Sequence, residues 1–146
     1  MPAKTRKADR KNAFCLIFER DFVDESEVKT AFDRYINNFA TEANEELDKK
    51  FVYQLFSGTF NCISEIDSLI KENAENWTFE RISKVDLAIL RMAVFEIKFM
   101  KNGNAKIAIN EAVELAKRFS SDNSPKFING VLGNILRDAE NEAKSV

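Results

Sequence analysis

The side chains that could do chemistry gather at the two ends of this chain. Its first eleven residues hold Lys4, Arg6, Lys7, Arg10 and Lys11 against Asp9 alone, a net +4, so a chain of formal charge −2 carries −6 over the other 135 residues. An acidic body with a basic arm is expected to present one face to a polyanion rather than to adhere everywhere. In a helix, Lys4, Lys7 and Lys11 share a stripe that continues to Phe18 and Phe22, while Arg6 and Arg10 lie on the adjacent stripe leading to Ala13 and Ile17. Cations beside an aromatic ring suit single-stranded RNA, where charge meets phosphate and the ring stacks on an unpaired base. The same arm also reads as a solubilising tail, although positive charge at a helix N-terminus opposes the helix dipole and so argues for a purpose other than folding.

A second group lies near the C-terminus. The turn Ser121, Asp122, Asn123 and Ser124 precedes a helix start and offers hydroxyls, amides and backbone N–H groups to an anion or a base edge, as many helix starts do. Phe127 sits at the margin of its helix's apolar stripe, where it covers the core or faces a base; Phe18 and Phe119 pose the same alternatives. Lys126 is exposed under either reading.

Other chemistries find little support. Histidine is absent, which removes the commonest general base and metal ligand. Glu96, Glu111 and Glu114 do not form a ligand-spaced set, and Gly58, Gly103, Gly130 and Gly133 stand alone, without the strand and loop of a phosphate-binding motif. Cys15 and Cys62 are far apart and each has apolar neighbours, so they read as buried free thiols. No catalytic residue, metal or cofactor is therefore expected.

These groups must be held by helices. A chain of 146 residues with 45% hydrophobic and 32% charged residues suits one globular domain, residues 1–146, with residues 1–11 as an arm leading into the first helix. No apolar run reaches the roughly 18 residues of a membrane span, and no apolar stretch follows the basic start as in a signal peptide, so a cytoplasmic protein is expected. Periodicity predicts helices over residues 5–22, 26–40 and 44–76, the last striped by Leu47, Phe51, Leu55, Thr59, Cys62, Ile66, Leu69 and Ile70, with Gly58 as a close-packing point or a break. A short connecting turn or single-turn helix over residues 77–82 leads to a helix capped by Ser83 that runs to residue 100. That helix is apolar almost all round and hence central; Arg91 and Glu96 are its exceptions, partnered inside or placed where another protein docks. The turn pair Asn102 and Gly103 separates it from a helix over residues 105–119 that buries Ile109, Ala112, Val113 and Ala116. Ser124 as N-cap and Pro125 as first helical residue start the last helix, with Ile128, Val131, Leu132 and Ile135 inward and Gly130 and Gly133 letting a neighbour's backbone approach. The fold class is all-α.

Three strings in this order, NWTFERISKVDLAILRMAVFEI, AINEAVELAKRF and SPKFINGVL, resemble the NusB family, and RKADRKNAFCLIFERDF resembles that family's arginine-rich first helix. The resemblance covers nearly the whole chain. It implies two small packed helical bundles and a non-enzymatic, RNA-binding transcription antitermination factor. Such a factor binds boxA RNA with NusE, a small-subunit ribosomal protein, and with NusA, NusG and RNA polymerase suppresses premature termination, chiefly in ribosomal RNA operons. Carried over to this chain, RNA contact is expected from Arg6, Lys7, Arg10, Lys11, Phe18, Phe119, Asn123, Lys126 and Phe127. NusE docking is expected on another surface, near the helix from Ser83 to Met100. The family often has a proline near Asn104 and an acidic residue at Asn123; loss of a carboxylate beside phosphates is expected to tighten RNA binding. An accessory domain of an RNA methyltransferase system and a helical protein-interaction module are the alternatives. A homodimer that hides the basic face is compatible with the sequence.

Overall fold

The three-to-four-residue apolar spacing is realised as helix, and no strand occurs among the described residues. The computed structural model describes residues 6–38, 47–75, 77–100 and 104–144. Lys4, Phe39, the predicted helix start at residue 44, Asn76 and the Asn102–Gly103 turn lie outside them. In order come α1 (Lys7–Arg20), a 3-10 turn (Glu25–Glu27), α2 (Val28–Asn38), α3 (Lys49–Asn61), α4 (Ile63–Asn73), a 3-10 turn (Phe79–Arg81), α5 (Lys84–Phe95), a π-helical turn (Glu96–Met100), α6 (Ala105–Phe119) and α7 (Ser124–Lys144). The chain divides into two compact units, Met1–Gly58 and Thr59–Val146.

The first unit is built on α1, whose inner face buries Ala13, Phe14, Leu16 and Ile17. Phe32 of α2 joins α3 through rings, stacked on Phe56 at 5.3 Å and edge-on to Tyr53 at 5.2 Å. Buried Asn12 is satisfied on both sides, donating to the Ala8 carbonyl at 2.7 Å and accepting from the Tyr35 hydroxyl at 2.7 Å. Burial raises the Tyr35 phenol well above its ordinary value, and Cys15 and Glu19 push it the same way. Asp48 starts α3: its carboxylate accepts from the Phe51 N–H at 3.1 Å and its carbonyl from the Val52 N–H at 3.0 Å, the work of an N-cap. The single long helix expected over residues 44–76 is thus shorter at its start, and it is also divided. The break falls at Cys62, where φ −111° and ψ 19° leave the helical region, while Gly58 lies inside α3. Asn61 and Cys62 are weak helix formers, and a one-residue interruption leaves the apolar stripe nearly in phase. Cys15 and Cys62 form no disulfide, and both are half-buried rather than buried.

In the second unit α5 touches α4, α6 and α7, as its all-round apolar sequence requires. Leu87 through Leu90 and Met92 through Phe95 are buried; Val85 and Ile97 are half-buried. Arg91 is partnered inside, its guanidinium forming two 2.9 Å bonds to the Asp67 carboxylate of α4. Ser83 caps α5, its hydroxyl accepting from the Asp86 N–H at 3.1 Å. On α6, Ala108 and Leu115 join the expected Ile109, Ala112 and Ala116 in the core, while Val113 is half-buried. Ile128, Val131, Leu132 and Ile135 of α7 are buried as expected.

Two expectations for α7 are corrected. Ser124 does not cap it: the Ser124 hydroxyl is drawn to Asp86 at 2.8 Å, Ser124 is itself the first helical residue, and the Asn123 carbonyl takes the Phe127 N–H at 3.3 Å. Pro125 therefore stands second, where its missing N–H still costs no intrahelical bond. Nor do the glycines admit a neighbouring backbone. A methyl group at Gly130 would meet nothing within 4 Å, and one at Gly133 would meet only Nη1 of Arg137 at 3.7 Å.

Candidate nucleic-acid interface

The start of α1 places its cations unequally. Both arginines are partnered, but only Arg10 turns inward: the exposed Arg6 guanidinium lies 3.9 Å above the Phe51 ring and 3.1 Å from the Asp48 carboxylate, and Arg10, 9% exposed, reaches the same ring at 5.8 Å. Asp9, enclosed beneath them, accepts from the Asp48 N–H at 3.0 Å and lies 3.9 Å from Arg6. Both arginines thus help to fix the start of α3 against α1. Lys7 is exposed and Lys11 half-buried. Further along, half-buried Phe18 meets Phe14 at 6.4 Å and stands edge-on to Phe22 at 5.3 Å, and Phe22 is 66% exposed.

The other predicted residues lie in the second unit, around the junction of α6 and α7. Phe119, Asn123 and Phe127 line one cleft of about 400 Å³, and exposed Lys126 adjoins it in sequence. Beneath, Ser120 and Ser124 donate to the two oxygens of Asp86 at 2.6 and 2.8 Å, which ties the α6–α7 turn to the first turn of α5. This network consumes the hydroxyls facing inward. It leaves Asn123 and Ser121 at the surface and Phe119 38% exposed, with the Arg118 guanidinium 5.0 Å from its ring centre.

Two lining residues were missed by sequence reasoning. Trp77, 52% exposed, packs on Phe127 at a ring distance of 5.4 Å, and Arg81 stands at the same cleft. Both belong to the short turn read merely as a connector; a lone tryptophan among polar residues was the available signal. Among the described residues no three His, Cys, Asp or Glu side chains converge as a metal site, and no helix is long and apolar enough to cross a membrane.

Exposed rings flanked by arginine and lysine can stack on bases and neutralise phosphates. Fold and surface thus define an all-α protein with chemistry suited to a nucleic acid. The NusB family model matches residues 7–137, and the chain belongs to the NusB family. Transcription antitermination protein NusB of Clostridium novyi (strain NT) is 40% identical over 135 residues, spanning 90% of this chain and 98% of that protein. T. maritima NusB superimposes with a TM-score of 0.75 at 29% identity, over 92% of each chain. A chain from the crystal structure of antitermination factors NusB and NusE in complex with dsRNA gives a TM-score of 0.76 at 26% identity, over 91% of this chain and 96% of that one.

Proposed function

We propose that the chain is an RNA-binding transcription antitermination factor that binds boxA-type single-stranded RNA together with NusE. The observation that carries this is the cleft of the second unit, where Phe119 and Phe127 present rings beside Asn123 and the exposed Lys126. Membership of the NusB family, and the likeness to a chain crystallised with NusE and dsRNA, support both partners. Exposed rings favour unpaired bases, which a duplex keeps stacked.

RNA contact is assigned to Arg6, Lys7, Lys11 and Phe18 and to Phe119, Asn123, Lys126 and Phe127, while Arg10, 9% exposed against the Phe51 ring, positions the arm. Lys7 meets phosphate directly; Arg6 does so by exchanging Asp48 for a phosphate oxygen. The chain, residues 1–146, is read as one RNA-binding domain. With Leu87 to Leu90 and Met92 to Phe95 enclosed, a NusE docking near α5 engages the half-buried Glu96–Met100 turn. The cytoplasmic setting is a complex with NusA, NusG and RNA polymerase that suppresses premature termination, chiefly in ribosomal RNA operons, and the chain itself performs no catalysis.

The test is RNA binding with and without purified NusE, using boxA-like RNA as a single strand and as a duplex. The single strand is expected to bind more tightly, and NusE to enhance it. With about five cations on phosphates the log–log salt slope is about −3 to −4, and a slope near zero overturns the electrostatic part. Asn123→Asp restores an acidic group beside phosphate and is expected to weaken binding; equal affinity removes Asn123 from the contact set. A homodimer of the free chain that covers the basic face would appear as RNA affinity falling with protein concentration.

A further inference from the structure

Five large apolar side chains are exposed among the described residues: Phe22, Tyr53, Trp77, Ile107 and Phe119. Two of them, Trp77 and Phe119, line the same cleft, although they come from segments more than forty residues apart. Trp77 is held from behind. Its ring packs on Phe127 at 5.4 Å with the planes inclined by 54°, and the backbone N–H of Trp77 donates to the Ala74 carbonyl at 3.2 Å. At 5.4 Å the two rings are in contact, so nothing flat inserts between them. The free face of the indole is what remains available, over a cleft of about 400 Å³, within the range of ligand sites of about 300–1,000 Å³.

The rim supplies the rest of a nucleotide's needs. Exposed Arg81 sits one turn beyond Trp77, Lys126 precedes Phe127, and Arg118 lies over Phe119, so cations flank the rings for a phosphate on either side. Asn123 offers an amide to a base edge, and the Ser121 hydroxyl, bonded to the Ser124 hydroxyl at 2.9 Å, keeps a lone pair to accept with. The Asp86 carboxyl also borders the cleft, but both its oxygens accept from serine hydroxyls, which limits its repulsion of an anion.

We infer that Trp77 is a stacking platform for one unpaired RNA base, with Arg81 on the adjoining phosphate. The short turn between α4 and α5 is thus part of the recognition surface rather than a connector. A purine is the preferred occupant, because its larger face covers more of the indole. This rests on the RNA-binding reading above and adds a subsite that residue-by-residue likeness to the family does not assign.

Trp77 is the chain's one tryptophan, so its emission reports on this site alone. The full chain is titrated with boxA-like single-stranded RNA, with the same strand carrying one abasic residue at each position in turn, and with free AMP. Quenching of Trp77 that follows binding, and that one abasic position abolishes, is expected. Trp77→Ala and Trp77→Leu should each weaken single-strand binding roughly ten- to hundredfold, and Trp77→Phe only a few-fold, with thermal unfolding at the wild-type temperature. Equal loss in Leu and Ala variants but not in Phe separates stacking from apolar filling. RNA binding without a change in Trp77 emission, with Trp77→Ala as tight as wild type, overturns the platform and leaves the RNA reading standing. Quenching by AMP at the concentrations at which the strand acts assigns the cleft to a free nucleotide and overturns the strand. Failure of the wild-type chain to bind RNA overturns both.

Discussion

The two regions assigned to RNA spend their polar groups in opposite ways. At the start of α1 the arginines are committed within the protein: Arg6 to Asp48 and the Phe51 ring, Arg10 to the same ring at 9% exposure. At the α6–α7 junction the buried carboxyl of Asp86 gathers the serine hydroxyls, and rings are left at the surface. A basic sequence therefore overstates the free charge of the first region, and a run of small polar residues conceals the aromatic character of the second. The division of labour that follows is electrostatic attraction by Lys7 and Lys11, which is blind to sequence, and base selection by the cleft.

The largest expected effect breaks the second region alone. Asp86→Ala removes the acceptor of two hydroxyls in a nearly enclosed place and should cost about 2–4 kcal/mol in urea unfolding. It should also loosen the cleft and weaken the preference among RNA sequences; a cost under about 1 kcal/mol would show that the serine network satisfies itself without the carboxyl. The next contrast lies within the basic arm. Arg10→Ala loses packing on Phe51 and should destabilise by about 1–2 kcal/mol. Exposed Lys7→Ala should stay within about 0.5 kcal/mol in stability while making the RNA salt slope shallower by about 0.7. If the two variants behave alike in unfolding, the inward and outward division of the arm is wrong.

Much of this was legible wherever the cause is local and periodic. α6 spans the expected residues 105–119, Ser83 caps α5, and the inward set Ile128, Val131, Leu132 and Ile135 needed only the helical repeat. The arm's stripes were also readable: Arg10, Ala13 and Ile17 face inward together. What escaped depends on partners distant in the chain. Ser124 has the side chain of an N-cap, but a carboxyl 38 residues away takes its hydroxyl. The commitment of Arg6 to Asp48 spans 42 residues. Trp77 belongs to no stripe, so no period marks it, and only its packing on Phe127 gives it a place in a site. The cap at Asp48 falls inside the stretch that the sequence reads as continuous helix from residue 44.

A further contrast concerns α7, which carries Phe127 into the cleft, with Lys126 next to it in sequence. Gly130 lies in its interior, exposed, and a methyl group there would touch nothing within 4 Å. Glycine inside a helix loses more backbone freedom on folding than alanine, so Gly130→Ala should stabilise the chain by about 0.5–1 kcal/mol, read as a higher urea midpoint at unchanged slope. The sign is decisive because the sequence reading, in which a neighbouring backbone approaches here, predicts a clash and a loss. Gly130 is also one helical turn beyond Phe127, so a more stable α7 holds the ring that backs Trp77 in place and leaves the α1 cations untouched. A gain in stability with the salt slope of RNA binding unchanged would therefore separate the two regions by their mechanics as well as by their charge.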